Sequence, residues 1–176
     1  METKIEKIDK NKINEEIIEE AGMILKNGGL VAFPTETVYG LGADALKEEA
    51  AMKTYAAKGR PSDNPLIVHI AEYEDLRKIA VNIPAETDAL AAHFWPGPLT
   101  MIFEKSEVVP YGTTGGLDTV AVRMLQMKWR ERLYGQRRIR FCPERKYFGK
   151  TKSDVGGTCC GRFGRKDRYD LRRRSS

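Results

Sequence analysis

What is scarce in this sequence narrows it first. No apolar run approaches the roughly 18 residues of a membrane span. The opening Met1-Glu2-Thr3-Lys4-Ile5-Glu6-Lys7 is charged rather than apolar, which speaks against a secretory signal. A cytoplasmic protein with no membrane partner is the expectation. Histidine occurs twice and cysteine three times. There is no H-E-x-x-H and no Cys-x-x-Cys, and adjacent Cys159 and Cys160 are poorly placed for a shared tetrahedral site or an ordinary disulfide. No metal site in the protein itself is expected. No G-x-x-x-x-G-K-[ST] occurs, which excludes a Walker loop.

The 176 residues suffice for one domain with a real core. The net charge of +5 invites a nucleic-acid reading, but it is unevenly held. Residues 1–124 carry 13 Lys+Arg against 20 Asp+Glu, a net of −7. Residues 125–176 carry 17 against 5, a net of +12, together with all three cysteines. The first part has apolar periods with turn punctuation, whereas no period of 3.6 or 2 is sustained after Met124. A basic nucleic-acid-binding tail is the ordinary explanation of such a split.

Ile13, Ile17, Ile18, Ala21, Ile24 and Leu25 fall on one helical face opposite Glu15, Glu16, Glu19 and Glu20. Asn27-Gly28-Gly29 ends that helix. Leu30–Phe33 reads as a buried strand closed by Pro34. A helix near Glu48–Ala57 turns Ala51, Met52, Tyr55 and Ala56 inward. A strand at Leu66–Ile70 follows, then helices near Glu74–Ala80 and Ala85–Phe94, and a turn at Pro96-Gly97-Pro98. Strands at Leu99–Phe103 and Thr119–Arg123 flank a Gly/Thr-rich loop at Gly112–Gly116. Such alternation argues for an α/β or α+β domain built on a sheet.

Four places concentrate polar chemistry. Pro34 through Gly42 follows a buried strand, where α/β proteins place ligands. In extended backbone Thr35, Thr37 and Tyr39 point to one side; a turn whose threonines satisfy their own backbone explains the same residues. Lys58-Gly59-Arg60-Pro61-Ser62-Asp63-Asn64-Pro65 puts two cations around a glycine, suited to a polyphosphate, with prolines stiffening the approach to Asn64. A solvated basic loop is the competing account. His69 shares a strand face with Ile67, as a catalyst or as a satisfied structural residue. Thr119, Ala121 and Arg123 share a face of the last strand; a buried Arg123 requires an anion, either a protein carboxylate or a substrate.

Gly29-Leu30-Val31-Ala32-Phe33-Pro34-Thr35-Glu36-Thr37-Val38-Tyr39-Gly40-Leu41-Gly42, Lys58-Gly59-Arg60-Pro61 through Asn64-Pro65-Leu66-Ile67-Val68-His69, Trp95-Pro96-Gly97-Pro98-Leu99-Thr100 and Thr119-Val120-Ala121-Val122-Arg123-Met124 occur in that order. Together, over roughly residues 13–124, they closely resemble the YrdC-like family. The resemblance implies a twisted open mixed sheet with flanking helices around a positively lined cavity. It implies synthesis of threonylcarbamoyl-AMP and pyrophosphate from L-threonine, bicarbonate and ATP, with Mg²⁺ on the phosphates. The product would serve threonylcarbamoyladenosine modification of tRNA through a downstream transfer machinery. By motif position Thr37, His69 and Arg123 look like L-threonine contacts. Arg60, Asn64 and Thr119 look like ATP contacts, and Lys58 neutralises phosphate with Arg60. The implied chemistry needs no covalent nucleophile.

The pattern departs after Met124, where the family's Ser-Ala-Asn segment is absent. With suitable synonymous codons, Phe141–Thr151 read one base later spells Phe-Ala-Pro-Ser-Ala-Asn-Ile-Ser-Gly-Lys-Pro. Asp167–Ser175 shifts likewise to Ile-Asp-Met-Ile-Leu-Asp-Gly-Gly. The expectation is therefore a domain portion at 1–124 and an out-of-frame tail at 125–176. Two alternatives to an active synthase follow: an inactive truncated homologue, or a double-stranded RNA or tRNA-binding module.

Overall fold

Asn14 starts the first helix: its side chain accepts the Glu16 N–H at 3.0 Å, and Glu15 and Glu16 sit at the positive end of the helix dipole. The computed structural model describes residues 3–8, 14–34, 39–59, 61–126, 139–141 and 168–173. In chain order these form β1 (Lys4–Ile8), α1 (Glu15–Lys26), β2 (Leu30–Pro34), β3 (Tyr39–Asp44), α2 (Glu48–Lys58), β4 (Ile67–Ile70), a 3₁₀ turn at Tyr73–Asp75, α3 (Leu76–Ile79), β5 (Ala80–Val81), α4 (Glu86–Phe94), β6 (Thr100–Lys105), α5 (Tyr111–Thr114), β7 (Thr119–Arg123), β8 (Ile139–Phe141) and β9 (Arg168–Arg173). Among the described residues the strands make one mixed sheet in the order β1-β9-β2-β3-β8-β4-β7-β6-β5.

The sheet buries its two faces differently. On one face Leu30, Ala32, Leu41, Ala43, Val68, Ile70, Val120, Val122 and Phe103 meet Ala50, Ala51 and Tyr55 of α2, Leu76 and Ile79 of α3, and Ala91 of α4. On the other, Ile18, Ala21 and Leu25 of α1 cover Val31 and Phe33 and reach Ala71 and Leu125. That second cluster stops short of β6 and β7. Ile102 is 70% exposed there, beside half-buried Ala121 and exposed Thr119. One face is a packed core, while the other is a core at one end and an open floor at the other.

The expected elements recur with instructive differences. Met52 and Ala56 point outward, Met52 being 50% exposed, because α2 packs through the small side chains of Ala50, Ala51 and Thr54 with Tyr55 beside them. The Gly/Thr-rich segment is not wholly loop: Tyr111–Thr114 forms a helical turn capped by Gly115 at φ +65°. The helix near Glu74–Ala80 is a 3₁₀ turn and one α-turn, and Ala80 already belongs to β5. Tyr39–Asp44 is a strand, paired antiparallel to β2 with Phe33 opposite Gly40 and Val31 opposite Gly42. A Cβ on Gly42 would stand 2.6 Å from the Phe33 ring, so only glycine lets that buried ring lie across the hairpin. β1, β8 and β9 have no counterpart in the apolar periodicity, and the last two come from residues after Met124.

Candidate active site

The candidate site is built on the parallel pair β4 and β7, next to the exposed part of this face at Ile102 and Thr119. Their Cα register sets Ile67 against Ala121 and His69 against Arg123. Alternation sends Val68, Val120 and Val122 into the packed core and His69, Thr119, Ala121 and Arg123 to the other face. By backbone register a row of residues crosses five strands here: Asp44, Arg140, His69, Arg123 and Thr100. His69 and Asp44 are completely buried, and Arg123 is nearly so.

Neither ring nitrogen of His69 has a hydrogen-bond partner among the described residues. Burial, and secondarily the Arg123 guanidinium, push its pKa down to about 3. The imidazole is thus neutral throughout the physiological range, with one N–H donor and one bare nitrogen acceptor. Arg123 donates from Nε to the Gly97 carbonyl at 2.9 Å, and the Gly97 N–H donates to the Met124 carbonyl at 2.8 Å. Gly97 of the Trp95–Pro98 turn therefore holds both the Arg123 side chain and the backbone of the next residue. Trp95 fixes the turn internally through Nε1 to the Leu99 carbonyl at 2.7 Å. Nε of Arg123 is thus held by a carbonyl.

The basic loop stands at the opposite end of the same strands. Lys58 is the last residue of α2, and Gly59 caps the helix in the left-handed region at φ +59°. Asn64 is exposed, and its carbonyl accepts from the Tyr55 hydroxyl at 2.9 Å. The Leu66 N–H donates to the Thr113 carbonyl at 3.0 Å, and Thr113 Oγ1 donates to the Ala45 carbonyl at 2.8 Å. A Cβ on Gly115 would meet the Asp63 carbonyl at 2.9 Å and the Pro65 nitrogen at 3.1 Å. The loop is thus seated on α5 by contacts that only glycine allows. Thr119 begins β7, four residues and about 13 Å from Arg123 along the strand.

Of the residues singled out in the sequence, His69 and Arg123 come together, while Lys58, Asn64 and Thr119 stand on described elements nearer the other end. Thr35, Thr37 and Arg60 lie outside the described residues. Sequence reasoning missed Asp44, whose Oδ1 accepts the Leu46 N–H at 3.2 Å, and the Gly97 carbonyl. A lone carboxylate at a strand end is a weak signal for the first, and a backbone acceptor gives none for the second. Among the described residues no three His, Cys, Asp or Glu side chains are grouped to hold a metal. No helix among them is long and apolar enough to cross a membrane.

Residues 23–139 match the Sua5–YciO–YrdC family, described as telomere recombination. The chain belongs to that family. This YrdC-family chain is 59% identical over 115 residues to a threonylcarbamoyl-AMP synthase of Pyrococcus abyssi, covering 65% of this chain and 34% of that one. It is 48% identical over 117 residues to the Bacillus subtilis threonylcarbamoyl-AMP synthase, covering 66% and 34%. The crystal structure of P. abyssi Sua5 complexed with L-threonine superposes with a TM-score of 0.85 at 45% identity, over 95% of this chain and 49% of that one. The YrdC-family chain spans about a third of these curated relatives' length and about half of that solved chain.

Proposed function

We propose that this YrdC-family domain makes threonylcarbamoyl-AMP and pyrophosphate from L-threonine, bicarbonate and ATP, a nucleotidyl transfer that supplies threonylcarbamoyl groups for tRNA modification. The observation that carries the reading is the buried pair His69 and Arg123, side by side at the covered end of a sheet face that is exposed at Ile102 and Thr119. A guanidinium fixed through Nε is a planar fork suited to an amino acid's carboxylate. The neutral imidazole beside it can accept from the amino group or donate to the hydroxyl of L-threonine without adding a charge to the floor. Thr37 joins them as the third threonine contact. Lys58, Arg60, Asn64 and Thr119 bind ATP, whose Mg²⁺ arrives as the counter-ion of its phosphates.

The threonine nitrogen first adds to bicarbonate with loss of water and becomes a carbamate. A carbamate oxygen then attacks the α-phosphorus of ATP. One O–P bond forms, the α–β bridging bond breaks, and pyrophosphate leaves with its electron pair. The protein's part is to hold the two reactants in line and to stabilise the spreading phosphate charge through Lys58 and Arg60. An RNA-binding module is the poorer reading, because residues 1–124 have a net charge of −7.

Calorimetric titration of the chain with L-threonine tests the site. Saturable binding is expected, weakened at least about tenfold by Arg123→Ala, the loss of one charged bidentate contact. A folded protein that takes up no L-threonine refutes the assignment.

A further inference from the structure

β9 occupies a demanding place for its sequence. Its residues Arg-Tyr-Asp-Leu-Arg-Arg lie between β1 and β2, parallel to both. Arg168 stands opposite Leu30, Tyr169 opposite Val31 and Asp170 opposite Ala32. Those three β2 residues are buried in the cores on the two faces of the sheet. A strand paired on both edges, beside residues of β2 that are buried on both faces of the sheet, favours apolar residues, yet four of these six residues are charged. β8 likewise stands between β3 and β4, with Arg140 opposite His69.

The use of basic residues changes with the same boundary. Residues 1–124 hold 10 lysines and 3 arginines, whereas residues 125–176 hold 5 lysines and 12 arginines. The genetic code relates this switch to the misfit of β9. Every arginine codon has G as its middle base. Read one nucleotide later, each arginine therefore yields a codon beginning with G, which encodes only Val, Ala, Asp, Glu or Gly. Some positions are forced more tightly. Asp167 before Arg and Asp170 before Leu can become only Ile or Thr, and Tyr169 before Asp can become only Met or Thr. Whatever synonymous codons the gene uses, the shifted reading puts uncharged residues with side chains acceptable in a strand at those three positions. One consistent choice of codons keeps the shifted frame free of stops from Phe141 to Arg174.

We propose that the chain changes reading frame between Met124 and Phe141. The residues beyond are a one-nucleotide-displaced translation of the domain's own C-terminal segments, and β8 and β9 occupy the places those segments were encoded to fill. The chain as translated then keeps His69 and Arg123 for L-threonine but does not turn over, since foreign residues fill β8, between β3 and β4, and β9, between β1 and β2. Only this last consequence rests on the reaction proposed above.

The coding DNA of codons 125–176 gives the first test. The expected third bases make the shifted frame of Asp167–Arg172 read Ile-Asp-Met-Ile-Leu-Asp and leave it open across codons 141–174. A stop codon there, or threonine at all three forced positions, overturns the proposal. The second test compares this chain with one expressed after removal of a single nucleotide between codons 125 and 140. The restored chain is expected to melt at a midpoint higher by about 10 °C; an equal or lower midpoint overturns the proposal. L-threonine- and bicarbonate-dependent pyrophosphate release from ATP is expected from the restored chain alone. Equal turnover by both chains also overturns the frame proposal. If the first two tests succeed and neither chain turns over, the assigned reaction falls and the frame assignment stands.

Discussion

His69 should make the protein acid-sensitive by an amount that can be worked out in advance. Its imidazole is completely buried beside Arg123, and burial and that guanidinium push its pKa down to about 3 from 6.5. The unfolded chain therefore binds a proton at a pH where the folded chain does not. Stability from this group is fully present above pH 6.5 and is lost as the pH falls from 6.5 towards 3. The slope in that window is about 1.4 kcal/mol per pH unit, so about 2 kcal/mol is gone by pH 5. Urea unfolding followed by the fluorescence of buried Trp95 measures this, with His69→Leu as the variant that cannot titrate. The variant is expected to lose the extra acid slope, whatever it does to absolute stability. The sequence has only two histidines, and His93 is exposed, so two imidazole resonances suffice to follow the buried ring by NMR. Equal pH slopes for the two proteins, or a His69 resonance that titrates near 6.5, would refute the reasoning.

Two further substitutions probe the frame around the floor. Gly115→Ala combines a positive φ of 65° with a Cβ 2.9 Å from the Asp63 carbonyl. A loss of about 1–3 kcal/mol is expected by chemical denaturation, and an unchanged midpoint contradicts the seating of the loop on α5. Ile18→Ala removes a fully buried side chain from the α1 cluster and should cost about 2–5 kcal/mol. A loss under about 1 kcal/mol would mean that α1 does not close that face.

The strands flanking the site were legible because their side chains alternate cleanly. Thr119–Arg123 shows two core valines against Thr119 and Arg123, and the structure bounds β7 at those same residues. Tyr39–Asp44 was opaque for the opposite reason. Gly40 and Gly42 carry no side chain to register a period, and the reason for Gly42 is the Phe33 ring on the neighbouring strand. Met52 misled because hydrophobicity weighs a large side chain above Ala50 and Thr54, whereas close approach of α2 to the sheet favours the small ones. The pairing of His69 with Arg123 arises from two strands some fifty residues apart in sequence, so no local pattern contains it. The support of Arg123 is more hidden still, since it is a carbonyl brought in by a turn.

β7 also acts as a ruler with coarse graduations. Its two ends hold Thr119 and Arg123 on one face; backbone bonds tie the chain just before it at Asp118 to Lys105 and just after it at Met124 to Gly97. Inserting a single residue between them would not lengthen the span slightly; it would send one of the two side chains into the valine core. The spacing can change only in two-residue steps, each about 6.6 Å, larger than a phosphate group. A fold of this kind cannot adjust the distance between Thr119 and Arg123 gradually. Were both to hold a ligand as proposed above, selectivity among ligands of similar length would be tuned by the turns at the ends, where a shift of a fraction of an ångström leaves every strand face as it was.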